Sequence, residues 1–201
     1  MPQPPQVGLI TRYVLENPYP LALVLLALAG GLAWTAVRNE RRDRLRVGGA
    51  LAILGVAVLL LGAVVVTSGE HARRITRALV EAAVAADVSA AMQLFADEAT
   101  LSFGRATNPG YATDEIHWRL ERLDDQWRID SNRITMLRSY SESSDTATVH
   151  LACSTMLTRG YGATPTQWVL RIQRQPSGGW KIAHVTWVSI NRHPPSRDLD
   201  R

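Results

Sequence analysis

Few side chains in this 201-residue chain could do chemistry, and their spacing limits what they could do. His150 and Cys153 stand three apart in a stretch of alternating polarity. A thiol beside an imidazole makes a nucleophile, but on a strand a spacing of three sends the two side chains to opposite faces. Cys153 shares its face with Val149 and Leu151 and reads as a small core residue. It is the sole cysteine, which excludes an intramolecular disulfide and a cysteine zinc cluster. His184, on a later strand, shares a face with Ile182 and Thr186 by simple alternation and is the candidate pocket base. His117 stands among Asp114, Glu115 and Glu121. Asp114 and His117 have i, i+3 ligand spacing, but no second ligand pair accompanies them, so no metal is expected. Asp97 and Glu98 are adjacent carboxylates that diverge, as a polar turn between helix and strand would need. Gly160-Tyr161-Gly162 lacks the following helix that a phosphate loop requires. No cofactor is expected.

The elements that must position these groups follow from periodicity. Residues 70–86 read as a helix, with Ile75, Leu79, Ala82, Ala83 and Ala86 at helical spacing. Asp87 can cap a second helix over 88–95. Residues 99–103 read as a strand and 105–111, with Pro109-Gly110, as a loop. Thr113 is the expected N-cap of a third helix, with Asp114 and Glu115 in its first turn, where negative charge suits the helix dipole. Four strands follow, over 133–140, 146–158, 166–175 and 180–191, the last pair joined through Pro176-Ser177-Gly178-Gly179. The plan is α+β. Residues 193–201, with Pro194-Pro195, read as a flexible tail.

Ahead of this domain lie two stretches without Asp, Glu, Lys or Arg, residues 17–37 and 47–69. Each supplies about the 20 apolar residues that cross a hydrocarbon core. Between them Arg38, Arg41, Arg42, Arg44 and Arg46 fall within nine residues, and a short basic loop stays on the cytoplasmic side. The expectation is a 1–18 tail, a transmembrane hairpin over 19–69 (spans about 19–37 and 47–67, loop 38–46) and a soluble domain over 70–192, with the loop inside the cytoplasm and the domain outside it. A cleaved leader is the competing reading of the first segment. It would leave the basic loop outside, against the charge rule. Gly48, Gly55 and Gly62 recur every seven residues, and Ala27 and Gly31 offer the first segment a matching small surface. Neither segment holds an acid, a base or a His, so a transport path lacks its usual ionisable groups.

The sequence pI of 9.7 invites a nucleic-acid reading. The charge is uneven, however: residues 1–69 are net +3 and residues 70–201 net +1. A nearly neutral domain gives no support for phosphate-backbone binding, and no nucleic-acid partner is expected. Trp118, Trp127, Trp168, Trp180 and Trp187 weight the domain with aromatics; some should build the core and others line a pocket or an interface. Alternation places Trp187 opposite Ile182 and His184. Both sheet faces would then carry bulky groups, the second available to a second copy of the chain or another membrane protein.

Residues 82–101, Ala82-Ala83-Val84-Ala85-Ala86-Asp87-Val88-Ser89-Ala90-Ala91-Met92-Gln93-Leu94-Phe95-Ala96-Asp97-Glu98-Ala99-Thr100-Leu101, resemble the opening of nuclear transport factor 2-like (NTF2-like, SnoaL-like) domains. Asp145-Thr146-Ala147-Thr148-Val149 is similar to their mid-domain strand, and Gly178-Gly179-Trp180-Lys181-Ile182-Ala183-His184-Val185 to their closing strand. The resemblance implies a cone: helices packed in a strongly curved, mainly antiparallel sheet, with a pocket at the open end. Ketosteroid isomerases, dehydratases and cyclases share that fold with non-catalytic binding and assembly domains, so fold does not decide function. Isomerase chemistry needs a carboxylate base and acidic donors toward an oxyanion. The matching positions fall near Phe103 and near Thr166-Gln167, none a carboxylate. The hairpin anchor and the missing isomerase carboxylates together point to a membrane-anchored module for binding or assembly, with Phe103, Trp118, Trp168, Trp187 and His150 as pocket or interface candidates. Its expected partners are the bilayer, a homodimer mate or another membrane protein, and a small hydrophobic ligand. The alternative is a tethered isomerase-, dehydratase- or cyclase-like enzyme using His184.

Overall fold

The computed structural model describes residues 19–39, 42–64, 67–125, 128–158 and 162–195. The expected 1–18 tail, Arg41, residues 65–66 of the second apolar segment, Trp127, the Gly160-Tyr161 turn and tail residues 196–201 lie outside the described residues. The chain divides into two compact units between Thr67 and Ser68.

The first unit is a helical hairpin. α1 (Tyr19–Arg38) is long and apolar enough to cross a membrane, and among the described residues it is the one helix that meets that test. α2 (Arg42–Val64) opens on Arg42, Asp43, Arg44 and Arg46 before its apolar run. The helices are antiparallel. A Cβ on Gly48 would lie 3.1 Å from the Ala29 carbonyl oxygen, whereas one on Gly55, two turns later, would lie 3.1 Å from Leu26 Cγ. α1 buries Ala22, Ala29 and Ala36, seven apart, and Ala29 is the one that meets Gly48. A seven-residue period keeps one seam facing a partner helix, and small residues let the backbones approach. The seam is not the expected Ala27 and Gly31. Both are exposed, and nothing would lie within 4 Å of a Cβ on Gly31. They sit off the seven-residue seam, on another side of the helix.

The second unit is α+β. α3 (Ser68–Val84) turns Ala72, Ile75 and Leu79 into the core. Its N-terminus is tied to the far end of a strand pair. Ser68 Oγ donates to the Ser143 carbonyl at 2.7 Å, Gly69 N–H to Ser141 Oγ at 3.0 Å, and Arg73 to Ser139 Oγ at 3.0 Å. A Cβ on Gly69 would come within 3.0 Å of Ser141 Oγ, so glycine allows the approach. α3 ends with Ala86 at φ 55°, Asp87 N–H bonding Ala82 O and Ala86 N–H bonding Ala83 O, the hydrogen-bond pair of a left-handed helix cap. The Asp87 side chain then accepts from Ala90 N–H at 2.8 Å and caps α4 (Val88–Met92), as its type and place imply.

β1 (Phe95–Phe103) begins four residues before the expected strand, because Phe95 already pairs with Ile182. α5 (Thr113–Asp125) follows. Thr113 does not cap it by accepting from its first amides in the expected way; its hydroxyl donates toward Asp97 O and Ala99 O, at 2.8 and 3.0 Å, and fastens the helix to β1. β2 (Ile129–Ser141), β3 (Thr146–Leu157), β4 (Ala163–Arg174) and β5 (Trp180–Ile190) complete a curved mixed sheet in the order β1-β5-β4-β3-β2. Only the β1–β5 pair is parallel. α3 lies over β2, β3 and β5, and α5 over β1. Val149, Leu170, Ile172 and Ile182 are among the side chains buried between them. Beyond the sheet, Ile190 and His193 form a bridge and Pro195 is buried, so residues 193–195 of the expected tail are held.

β5 departs from simple alternation. Arg171 pairs with His184 and Ile172 with Ile182, which leaves Ala183 as an extra residue. A bulge of this kind shifts the side-chain phase by one. Ile182 therefore joins Val185 and Trp187 on the helix-facing side, and His184 takes the other. The expectation that Ile182 shares a face with His184 and opposes Trp187 is reversed. A second shift between Gln167 and Trp168 brings Ile190 opposite Thr166, on the Trp187 side as well. Ile182 and Ile190 thus join Val185 and Trp187 on one face of β5, and Val188 is the extra residue of the second shift.

Candidate functional site

The register collects aromatic side chains at one end of the helix-facing side. Phe103 on β1 lies beside Trp187 on β5, and Trp187 beside Trp168 on β4. The two indoles stack at 4.9 Å with 12° between planes, and Phe103 tilts against Trp187 at 5.8 Å. Tyr111 is brought in by its backbone bridge to Leu101 and meets Phe103 edge-on at 5.5 Å. Aromatic pairs prefer these stacked and edge-on arrangements. Both indole donors are used within the fold: Trp168 Nε1 donates to Thr166 Oγ1 at 3.0 Å and Trp187 Nε1 to the Ser189 carbonyl at 3.2 Å.

α5 places a cation over this surface. The Arg119 guanidinium lies 5.0 Å from the Phe103 ring centre, 5.7 Å from Tyr111 and 5.8 Å from Trp118. Glu115, one turn back, holds it at 2.9 Å. Arg122 covers Trp118 at 4.3 Å, and Trp118 remains 39% exposed at the rim. Each cation–ring contact is worth about 0.5–2 kcal/mol, more where water is excluded. Flat apolar rings and a paired guanidinium can hold a ligand or a protein side chain. The carboxylate beside them is engaged by Arg119.

The histidines lie elsewhere. On the opposite face of the sheet, Thr100, His184, Arg171, Thr148 and Tyr140 form a row across all five strands. His184 Nδ1 is 2.6 Å from Thr100 Oγ1 and its Nε2 3.1 Å from Thr186 Oγ1. Burial, and then the Arg171 charge, lower its pKa below the ordinary histidine value. His150 sits in the neighbouring row, with Arg138 and Val169 beside it and Tyr140 edge-on at 5.2 Å. Burial and nearby positive charge, Arg138 included, lower its pKa as well. Cys153 is buried on the helix-facing side, away from His150, and burial raises its thiol pKa. His117 pairs with Glu121 at 3.6 Å on the exposed side of α5. Among the described residues no group of three or more His, Cys, Asp and Glu side chains converges as a metal site would need. A shallow groove between α3, α4 and α5 is lined mainly by Ala82, Ala83, Val88, Ala91 and Leu120, and offers little polar chemistry.

Of the residues singled out from sequence, Phe103, Trp168 and Trp187 therefore come together, Trp118 joins at the rim, and His150 and His184 stand on the other face. Arg38, Arg42, Arg44 and Arg46 belong to the hairpin. Tyr111 and Arg119 were not anticipated. The Glu115–Arg119 spacing of four on a helix was a readable signal for an ion pair; nothing local marks Tyr111.

No family model matches the chain, and no curated protein matches it. Solved structures do. An NTF2-like protein of unknown function from Pseudomonas putida KT2440 superposes with a TM-score of 0.52 at 13% identity, over 67% of this chain and 92% of its own. The fold is NTF2-like. A Novosphingobium aromaticivorans protein provisionally assigned as an aromatic ring hydroxylase superposes on the NTF2-like domain at 0.50 and 16% identity, over 62% of this chain and 91% of its own. A ketosteroid isomerase-like protein from Erwinia carotovora atroseptica gives 0.46 and 18%, over 58% and 92%. At such identities the likeness is one of fold. Other solved structures with the NTF2-like fold include proteins named for enzymes and proteins of unknown function alike.

Proposed function

We propose that the chain is a membrane-anchored NTF2-like module that holds a small hydrophobic molecule or a protein segment without transforming it. Phe103 carries this reading. It stands where the isomerase resemblance would put the base, and its ring is packed against Trp187 and Tyr111 under Arg119. Thr166, at the matching position of the later acid, is the acceptor for Trp168 Nε1. Both positions are spent on packing. The full-length protein in detergent, offered a β,γ-unsaturated ketone, is expected to give no enone absorbance above the uncatalysed rate. A rate abolished by Glu115→Gln or His184→Ala would overturn the reading.

The anchor is the whole hairpin, with the arginine loop cytoplasmic and the domain outside. Its support is the outward display of Leu23, Val24, Leu28 and Trp34 on α1 and Ile53, Leu54 and Leu60 on α2. A surface of that size and polarity suits lipid, not water. In a Cys153→Ser background, Ser177→Cys, on the exposed β4–β5 turn, should react with an impermeant thiol reagent on intact cells and Asn39→Cys, also exposed, should not. The reverse pattern would invert the topology; release of the chain by alkaline carbonate would remove the anchor.

A further inference from the structure

The hairpin tip carries a cluster of exposed arginines. Arg38, Arg42, Arg44 and Arg46 are all exposed. Asp43 is the acid described among them, 4.0 Å from Arg46, with side chains 98% and 85% exposed. In sequence, residues 38–46 carry five arginines against Glu40 and Asp43, a net charge of +3. Large apolar side chains are interleaved with them: Trp34, Val37, Leu45 and Val47 are exposed too. Trp34 and Arg38 are four apart and so share a helix face.

This combination selects a particular ligand. Guanidinium groups bind phosphate through paired hydrogen bonds. Free phosphate would gain nothing from the exposed indole and aliphatic neighbours. A phospholipid would, because its acyl chains begin where its phosphate ends, and an indole settles at that boundary. We infer that the tip is a binding site for anionic phospholipid headgroups, with Arg38, Arg42, Arg44 and Arg46 on the phosphates and Trp34 at the headgroup level. The inference rests on the anchor reading. It goes further by naming which lipids the anchor gathers.

The test is quenching of Trp fluorescence in the full-length chain, reconstituted in phosphatidylcholine bilayers containing brominated phosphatidylcholine or brominated phosphatidylglycerol. Trp34→Phe identifies the Trp34 part of the signal. Each arginine near an anionic surface contributes about fivefold in affinity, so brominated phosphatidylglycerol should be preferred at Trp34 by at least about fivefold. Arg38→Gln/Arg42→Gln/Arg44→Gln/Arg46→Gln should bring that preference to about one. The milder Arg42→Gln/Arg44→Gln should lower it part-way, which keeps the test open if the fourfold variant inserts poorly. Equal quenching by both lipids in the parent chain, or an unchanged preference in either variant, overturns the inference. So does loss of the preference in millimolar inorganic phosphate at constant ionic strength, which would make the ligand a free anion. A chain that shows no bromine quenching in any bilayer defeats the anchor reading itself, whereas equal quenching by the two lipids leaves the anchor standing and defeats only the headgroup site.

Discussion

The hairpin and the domain differ in where they put their large apolar residues. The hairpin puts Ala22, Ala29, Ala36, Gly48, Gly55 and Val58 inside and turns much of its Leu, Val, Ile and Trp outward. The domain puts Leu170, Ile172, Ile182 and Val149 inside, and among its described large hydrophobic residues only Trp118 and Met156 count as exposed. Both packings follow one rule, that each surface meets the medium it suits. In water, burial of large apolar side chains drives association. In hydrocarbon that drive vanishes, and close backbone approach between small residues takes its place. The contrast is the one expected if, as proposed above, the hairpin meets lipid and the domain meets water.

The contrast can be attacked by exchanging residue sizes. Leu170→Ala should destabilise the domain by about 2–5 kcal/mol, read from urea unfolding of the full chain in detergent, while Leu28→Ala should leave hairpin packing unchanged. The reciprocal change is Gly55→Leu, which should separate the helices at a cost of about 1–3 kcal/mol. Hairpin packing can be followed by disulfide trapping of Leu32→Cys with Gly48→Cys in the Cys153→Ser background. A Cβ at 48 would lie 3.5 Å from Leu32 Cβ, within reach of a disulfide. Gly55→Leu should slow that cross-link, and unchanged trapping would mean that the glycine seam does not hold the helices. At the domain's entrance, Ser141→Ala removes the acceptor of the Gly69 N–H and should cost about 0.5–2 kcal/mol.

Acid should weaken the domain in a defined direction. His184 and His150 have folded pKa values below the ordinary 6.5. The unfolded chain then binds protons first, so their contribution is intact above about pH 6.5 and declines as pH falls below it. Urea midpoints between pH 7.5 and 5 should fall, and His184→Asn should flatten the decline; an equal slope in the variant would assign the sensitivity to other groups. The smallest effect expected is a gain. Ala86 holds a left-handed conformation, so Ala86→Gly should add up to about 1 kcal/mol. A loss would show that chain entropy outweighs the relieved strain.

Much of this architecture was readable in the sequence. The apolar segments, the Asp87 cap and the four late strands needed only period, capping chemistry and turn residues. The hairpin seam was half legible: the glycine spacing pointed to α2's contact face, but α1's partner stripe Ala22-Ala29-Ala36 was missed because alanine is too common there to mark a face. The two bulges on β5 were not legible. A bulge at Ala183 is decided by pairing with β4 and β1, and no local residue announces it. That single extra residue misassigned Ile182 and removed His184 from the pocket side. Phe103, Trp168 and Trp187 could be nominated as aromatics on strands, yet their meeting depends on register across three strands. Tyr111 arrives from a loop whose path sequence does not specify.

The serine contacts at the start of α3 have a mechanical consequence. The chain reaches the domain through Thr67, and Ser68, Gly69 and Arg73 are fastened to Ser143, Ser141 and Ser139. A tug on the tether is therefore delivered first to the β2–β3 end of the sheet. There the long antiparallel ladder from Ser141–Ala147 to Ile129–Leu157 shares the load among many hydrogen bonds. The domain is gripped at its entrance, so tension on the tether need not begin by peeling α3 from the sheet.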